Sequence, residues 1–199
     1  MELQPANAFI LHRQAANTWS VFIDYWANSY DYSAENTDYD LYVAKRDDTF
    51  EFDKANLRKL FEWKNNTGEK LTSKKESTVN KLIDKLPEIN QLLGQWNDVL
   101  FQEHFGKISA VWQTYLMHII QPDRFPIFDQ HVYRAFAYLQ LGKPDELQRL
   151  NTTKQKLGLY RQYQSFFDGI KQESGCATRD IDKALWAFGR FIKQYKVLL

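Results

Sequence analysis

The chain has 199 residues, of which 44% are hydrophobic and 16% aromatic, and its formal net charge is +1. So many large rings exclude a disordered chain, and the lack of any apolar run near ~20 residues excludes a membrane-spanning helix. The near-neutral charge does not by itself indicate nucleic-acid binding. A single cysteine, Cys176, excludes an internal disulfide, and the N-terminal residues lack the pattern of a secretory signal peptide. We therefore expect a cytoplasmic protein with one large domain or two small lobes.

The charges are distributed unevenly along the chain. Residues 24–53 contain nine acids and two bases, a net charge of −7, whereas residues 58–85 contain eight bases and four acids, a net charge of +4. The basic segment is either a solvated helix face or a surface that meets a phosphate backbone.

The first half of the chain predicts a series of helices. Residues 6–30 carry aromatic and apolar residues at spacings of three, four and seven, which is the pattern of a helix with an aromatic stripe. Residues 31–52 are predicted to be irregular, with "LYVA" (41–44) as a short extended piece. Asp53 has the position of an N-cap for a helix through about Lys64. Three further helices are predicted, beginning after Ser73, at Pro87 and at Asn97.

The second half predicts a buried helix followed by longer amphipathic ones. Residues 109–120 are apolar on almost every side, which is typical of a helix surrounded by other helices. A helix is then predicted from Gln130 to Leu141, with Gly142 as its C-terminal stop. Further helices are predicted near 144–156, over 160–172 and over 180–196. The fold class is therefore all-α, with about nine or ten helices.

The stretch "RFPIFDQHVYRAF" (124–136) places Asp129 between an apolar segment and the first turn of a helix. An aspartate there accepts backbone N–H bonds and lies at the positive end of the helix dipole, and both favour its ionised form. Asp129 is thus either a helix cap or a catalytic carboxylate held at a helix start.

Residues 106–134, "GKISAVWQTYLMHIIQPDRFPIFDQHVYR", resemble the helix-hairpin-helix (HhH-GPD) superfamily of DNA base-excision glycosylases. The resemblance lies in a glycine-bearing turn, a buried helix, a proline-containing link and the "DQHV" at a helix start. It implies a two-lobed helical fold in which residues 50–124 form one lobe and residues 1–49 with 125–199 form the other. It also implies an active cleft between the lobes, with Asp129 as the catalytic carboxylate.

The sequence departs from the family pattern in its hairpin and in its buried helix. The hairpin, Phe105-Gly106-Lys107-Ile108-Ser109, retains one glycine, although Ser109 is suited to cap the following helix. The family's bifunctional members carry a nucleophilic lysine where this chain has Val111 or Trp112. The resemblance therefore implies a monofunctional enzyme that removes the base and leaves the strand uncut, without an iron–sulfur cluster or another cofactor.

Several other residues are candidates for the site. Trp112, Tyr115, Trp26 and Tyr30 are aromatic residues for a pocket that holds a flipped base, or they are core residues. The candidates for DNA binding are Gly106, Lys107, Ile108, Ser109, His131 and Arg134. The four histidines show no metal-ligand spacing, so no metal site is expected.

The sequence thus predicts a monomeric, monofunctional DNA glycosylase that acts on double-stranded DNA containing a damaged or modified base. Repair and defence against phage DNA with modified bases are both open, and the sequence does not identify the base. The alternative is a noncatalytic descendant of the fold that binds nucleic acid or protein, in which Asp129 is only a cap.

Overall fold

The computed structural model describes residues 18–30, 37–65, 71–143, 145, 150 and 152–195. Within them all regular structure is helical, which confirms the all-α class, and none of the helices is both long and apolar enough to cross a membrane. The predicted helical residues 6–17 lie outside the described residues. In chain order the ten α-helices are α1 (Trp19–Asn28), α2 (Thr37–Tyr39, continued by a π-helical turn Asp40–Ala44), α3 (Lys54–Lys64), α4 (Ser73–Ile83), α5 (Leu86–Gly94), α6 (Asp98–Phe105), α7 (Ala110–Ile120), α8 (Gln130–Leu141), α9 (Thr153–Ser174) and α10 (Thr178–Tyr195).

The chain divides into two compact units. Of the described residues, the middle unit contains those from 37 to 124, and the terminal unit contains 18–30 with those from 125 to 195. Residues 37–49 thus belong to the middle unit, whereas the sequence predicted them in the other lobe. The reason for the difference is Tyr39, whose ring lies 4.9 Å from that of Trp63 and whose hydroxyl is 2.7 Å from Nε2 of His118.

The prediction that residues 41–44 are extended is wrong, because they form the π-helical turn after α2. The backbone N–H of Lys45 closes this turn on the carbonyl of Asp40 at 2.8 Å. The next residue, Arg46, donates to the carbonyls of Ile119 and Ile120 at the C-terminal end of α7. A guanidinium at that end is favoured by the helix dipole and satisfies carbonyls that have no partner inside the helix.

The predicted N-cap of α3 is confirmed. Asp53 caps α3 by accepting the backbone N–H groups of Ala55 and Asn56, and the Asn56 side chain accepts the N–H of Asp53 in return. Helix α7 is buried or half-buried at every residue, as expected for an all-round apolar helix. Ser109 occupies its N-cap position, but its side chain makes no capping bond, contrary to our expectation.

The terminal unit is built around α10, which packs on α1 and α8. Helix α8 ends as predicted at Gly142, whose φ of 69° is the left-handed conformation that favours glycine. Residues 153–174 form one long helix, so the predicted break between residues 156 and 160 is wrong. The capping box of Thr152 and Gln155 starts this helix, and Gly158 lies within it without ending it. The apolar core of the unit includes Phe22, Ile23, Trp26, Phe128, Val132, Phe136, Tyr163, Phe167, Ile181, Leu185, Phe188 and Ile192.

Candidate active site

Asp129 is the N-cap of α8 and has an extended backbone, with φ −137° and ψ −175°. Its Oδ1 accepts the backbone N–H groups of His131 at 2.8 Å and of Val132 at 2.9 Å. The residue is half-buried. Two backbone bonds on one carboxylate oxygen fix the orientation of the group and favour its charged form. This geometry satisfies a helix cap, and it also holds a negative charge in one place, which is what a catalytic carboxylate needs.

The segment before Asp129 has no regular structure, yet buried side chains of α9 and α10 hold its backbone. The Tyr160 hydroxyl donates to the carbonyl of Pro126 at 3.2 Å, and Oδ1 of Asp182 accepts the N–H of Ile127 at 3.3 Å. Phe128 packs its ring 5.4 Å from Tyr160 and 5.2 Å from Tyr163. The link is therefore positioned by the core of the terminal unit.

The two tyrosines behind this link are held in their neutral form. Burial raises the pKa of Tyr160 and Tyr163 well above the ordinary value, and the charge of nearby Asp182 raises both further. The Tyr163 hydroxyl is fully buried and has no hydrogen-bond partner within the described residues. A hydroxyl that stays protonated can donate a hydrogen bond at any physiological pH, as that of Tyr160 does here.

His131 and Arg134 lie on the first turns of α8, next to Asp129. Nη1 of Arg134 is 3.3 Å from Nδ1 of His131 and donates to the carbonyl of Gly189 at 3.0 Å. Only 1% of Arg134 is exposed, so this candidate for DNA binding is a buried link between α8 and α10. Burial lowers the pKa of His131, Asp129 raises it, and Arg134, Lys193 and Arg190 lower it further.

Gly189 lets α10 approach the start of α8 very closely. A Cβ atom added to Gly189 would lie 1.8 Å from the carbonyl oxygen of His131, which is far inside van der Waals contact. Glycine is therefore required here by space, although it lies inside a helix where it costs about 1 kcal/mol relative to alanine. The contact fixes the backbone turn that binds Asp129.

Tyr30 joins this group of residues through Trp186 of α10. The Trp186 ring lies 5.2 Å from the ring of Tyr30 and 5.0 Å from that of His131. The guanidinium of Arg179 lies 5.7 Å from the Tyr30 ring centre. Trp26 has a different position: it is 8% exposed and packs against Phe188 and Phe191. Of the two aromatic candidates in this unit, Tyr30 is connected to His131 through Trp186, and Trp26 belongs to the core.

Residues 106–109, for which the sequence predicted a hairpin, form the turn between α6 and α7 in the middle unit. Nε2 of Gln113 clamps it by donating to the carbonyls of Gly106 at 3.1 Å and Ile108 at 2.8 Å. A Cβ atom on Gly106 would lie 2.5 Å from the carbonyl oxygen of Gln102, so this position also requires glycine. Lys107 and Ser109 are exposed. The hairpin is thus a fixed backbone turn with one cation at its tip.

The aromatic candidates of the middle unit pack against α3. Tyr115 is 2% exposed and its hydroxyl donates to the carbonyl of Leu60 at 2.8 Å, so it is a satisfied core tyrosine. Trp112 is half-buried, with its ring 4.8 Å from that of Phe61. Val111 is also half-buried, and neither Val111 nor Trp112 has an amine in its side chain.

Four residues near the site were not predicted from the sequence: Asp182, Tyr160, Trp186 and Gly189. Two of them had a readable signal: Gly189 interrupts a strongly amphipathic helix, and Trp186 lies among basic residues on its polar side. Asp182 and Tyr160 had none, because their partners are main-chain groups of a distant segment.

Comparisons with known proteins gave no relative: no family model, no curated protein and no solved structure matches this chain.

Proposed function

We propose that the chain is a monofunctional DNA glycosylase of the HhH-GPD type, which hydrolyses the N-glycosidic bond of a damaged or modified base flipped out of double-stranded DNA. The observation that carries the proposal is Asp129, a half-buried carboxylate whose Oδ1 accepts two backbone N–H groups at the start of α8. The proposal includes a monomeric enzyme in the cytoplasm, without a cofactor, in DNA repair or antiviral defence.

The chemistry requires a fixed negative charge beside the sugar. As the bond between C1′ and the base nitrogen breaks, the bonding electron pair stays with the base nitrogen, which takes a proton from solvent, and positive charge develops on the sugar. A water oxygen then bonds to C1′. A carboxylate that is already oriented stabilises this charge without reorganisation and can accept the proton of the attacking water. The bonds from Tyr160 and Asp182 to the preceding link support the same role, because they restrict the backbone that carries Asp129.

Cleavage of the strand by an amine is not expected. A covalent Schiff-base intermediate needs a lysine or another amine as nucleophile. The corresponding positions on α7 are Val111 and Trp112, and the nearby Lys107 lies at the exposed hairpin tip. The product is therefore a released base and an intact abasic strand.

Binding to the DNA backbone is supported by the hairpin. Gly106 allows the close turn, Gln113 holds two of its carbonyls, and Lys107 provides one exposed cation. Contacts of this kind position a protein on a duplex and do not read its sequence. Base selectivity must then come from the pocket that receives the flipped base.

The test compares Asp129→Asn with Asp53→Asn, a matched cap on α3 whose Oδ1 also accepts two backbone N–H groups. Asparagine caps a helix about as well as aspartate, so both variants should fold. Each protein is incubated with duplexes containing oxidised, alkylated, deaminated and phage-type hypermodified bases, and released bases are measured by mass spectrometry.

We expect release of one class of base by the wild type and by Asp53→Asn. Release by Asp129→Asn should fall by about 100-fold or more, as is usual when a charge-stabilising group is removed. Near-normal release by a folded Asp129→Asn would refute the catalytic role. If the wild type released no base from any duplex while binding DNA, the noncatalytic alternative would replace the proposal.

A further inference from the structure

One side of α10 carries a line of cations. Arg179, Lys183, Arg190 and Lys193 are separated by four, seven and three residues, which places them on one face of a helix. Trp186 lies on the same face, between Lys183 and Arg190. The face spans about 21 Å, at 1.5 Å per residue over fourteen residues. We call this set the α10 basic face.

The α10 basic face is opposite the buried side of its helix. Ile181, Leu185, Phe188 and Ile192 are at most 6% exposed and form that buried side. The acidic residue nearest to the middle of the face, Asp182, is 2% exposed and accepts the N–H of Ile127. The carboxylate of Asp182 therefore lies in the core, although its place in the sequence is between those of the cations.

The lysines of this face differ from basic residues of the middle unit in their surroundings. Arg58 and Lys85 form ion pairs with Glu76 at 2.6 Å and Glu88 at 3.0 Å. Within the part of the chain that the structure describes, neither Lys183 nor Lys193 forms an ion pair. Lys193 is exposed and Lys183 is half-buried. Cations left without a nearby carboxylate create a local positive field, even when the net charge of the chain is only +1.

Trp186 connects the α10 basic face to the turn that carries Asp129. Its ring is 5.0 Å from that of His131, whose N–H donates to Asp129. The guanidinium of Arg190 lies 5.6 Å from the Trp186 ring centre, and this cation–π contact orders the arginine. Arg190 and Lys193 both act on the charge of His131. The cations therefore continue directly from the candidate active site.

We propose that the α10 basic face binds the phosphodiester backbone of the DNA beside Asp129. The proposal rests on the proposed function for the identity of its ligand. Nε and Nη2 of Arg179 are buried, so the cations available to phosphates are Lys183, Arg190 and Lys193. These three span about 15 Å, at 1.5 Å per residue over ten residues, which corresponds to about four base-pair steps of 3.4 Å each. Basic residues interleaved with an aromatic ring are typical of nucleic-acid surfaces, and the half-buried Trp186 lies between Lys183 and Arg190. This surface is separate from the hairpin, which belongs to the other unit.

The test reverses two lysines and measures DNA binding as a function of salt. The variant is Lys183→Glu with Lys193→Glu. The control is Lys154→Glu with Lys156→Glu on α9 of the same unit, which changes the charge equally and also pairs an exposed with a half-buried lysine. Fluorescence anisotropy with a labelled 20-base-pair duplex gives the dissociation constant at several salt concentrations. Thermal melting of each variant verifies its folding.

We expect the α10 variant to bind the duplex about tenfold more weakly at low salt than the wild type. Its slope of log affinity against log salt should be about two units shallower, because each phosphate contact contributes about −0.9. The α9 control should keep the wild-type slope. An α10 variant with wild-type affinity and slope would overturn the proposal, and so would an equal loss in the control.

The outcomes separate this proposal from the proposed function. A wild type that binds DNA through the α10 basic face but releases no base supports the face and refutes the glycosylase. A wild type that releases a base, with binding unchanged in the α10 variant, supports the glycosylase and refutes the face. If the wild type binds polyglutamate as tightly as the duplex, the α10 basic face is not a specific nucleic-acid surface. The proposal is also refuted if the wild type binds no DNA at low salt.

Discussion

Gly189 affects the geometry of the candidate site because it has no side chain. Its α-carbon lies against the backbone of His131, in the turn whose N–H groups bind Asp129. Helix α10 can approach the start of α8 this closely because Gly189 has no Cβ atom. The function of Asp129, as cap or as catalyst, therefore depends on a residue 60 positions away in the sequence.

We predict that Gly189→Ala destabilises the protein and Gly169→Ala does not. The first adds a Cβ atom 1.8 Å from a backbone oxygen, whereas the second adds one with no atom within 4 Å. Overpacking of this kind typically costs about 1–3 kcal/mol, while a glycine replaced inside an open helix gains up to about 1 kcal/mol. Urea unfolding of both variants measures the difference. Equal stability of the two would show that α8 and α10 do not approach as closely as described.

The lowered pKa of His131 predicts that the stability of the protein depends on pH. This pKa is lowered, mainly by burial, so the folded protein binds the proton less readily than the unfolded chain does. The contribution of neutral His131 is fully present above about pH 6.5, and it is lost as the pH falls through the lowered pKa. We expect His131→Gln to have a shallower fall in unfolding free energy than the wild type between about pH 7 and 5.

An NMR titration of the His131 ring checks the same prediction directly. The midpoint should lie below the ordinary histidine value of about 6.5. A midpoint above that value would mean that Asp129 affects His131 more strongly than burial and the three cations do.

At the scale of elements, both candidate regions are turns held by side chains from a neighbouring helix. The link before Asp129 is bound by Tyr160 and Asp182, and the hairpin is bound by Gln113 of α7. In each case a buried polar side chain pairs main-chain groups that no helix or sheet satisfies. Such bonds fix an irregular segment because leaving a buried polar group unpaired is costly.

We predict that Gln113→Leu loosens the hairpin, because the carbonyls of Gly106 and Ile108 lose their donor. The loss of unfolding free energy should be about 1–3 kcal/mol. Gln91→Leu, at an exposed position on α5, is the matched control and should have little effect. Hydrogen exchange at Lys107 and Ser109 should accelerate in the first variant alone. Unchanged exchange there would mean that the Gln113 side chain does not hold the turn.

At the scale of the whole molecule, the described helices form two units, and each contains one region that the resemblance relates to DNA. The middle unit has the hairpin, and the terminal unit has Asp129 with the α10 basic face. A net charge of +1 requires that affinity for DNA comes from such local surfaces. The salt dependence of binding should accordingly be modest, with about three to five phosphate contacts.

We predict that the whole reaction stops at an intact abasic strand. Duplex DNA treated with the protein should break only after alkali or heat is added, because α7 offers Val111 and Trp112 where a lysine nucleophile would be needed. Gel electrophoresis with and without alkali measures this. A covalent protein–DNA adduct trapped by borohydride would contradict the prediction and identify an amine elsewhere in the chain.

The sequence by itself determined the helical class, most helix ends and the cap at Asp129. These features depend on residues that are near each other in the chain: the 3.6-residue period, Asp53 and Asp129 before their helices, and Gly142 after α8. Residues 41–44 were wrongly predicted as extended, because tertiary contacts such as that of Tyr39 with His118 override weak local preferences. The predicted break in α9 was wrong, because Gly158 lies within the helix without ending it.

The tertiary structure alone shows which of the candidate residues lie near the turn that carries Asp129. It buried Arg134 and Tyr115, which the sequence offered as binding residues, and it brought Trp186, Tyr160 and Asp182 to the site. Sequence patterns report which side of a helix faces inward, but not which distant helix lies there. The close approach at Gly189 and the aromatic contact with His131 arise from the packing of α10 on α8, and that packing joins residues more than 50 positions apart.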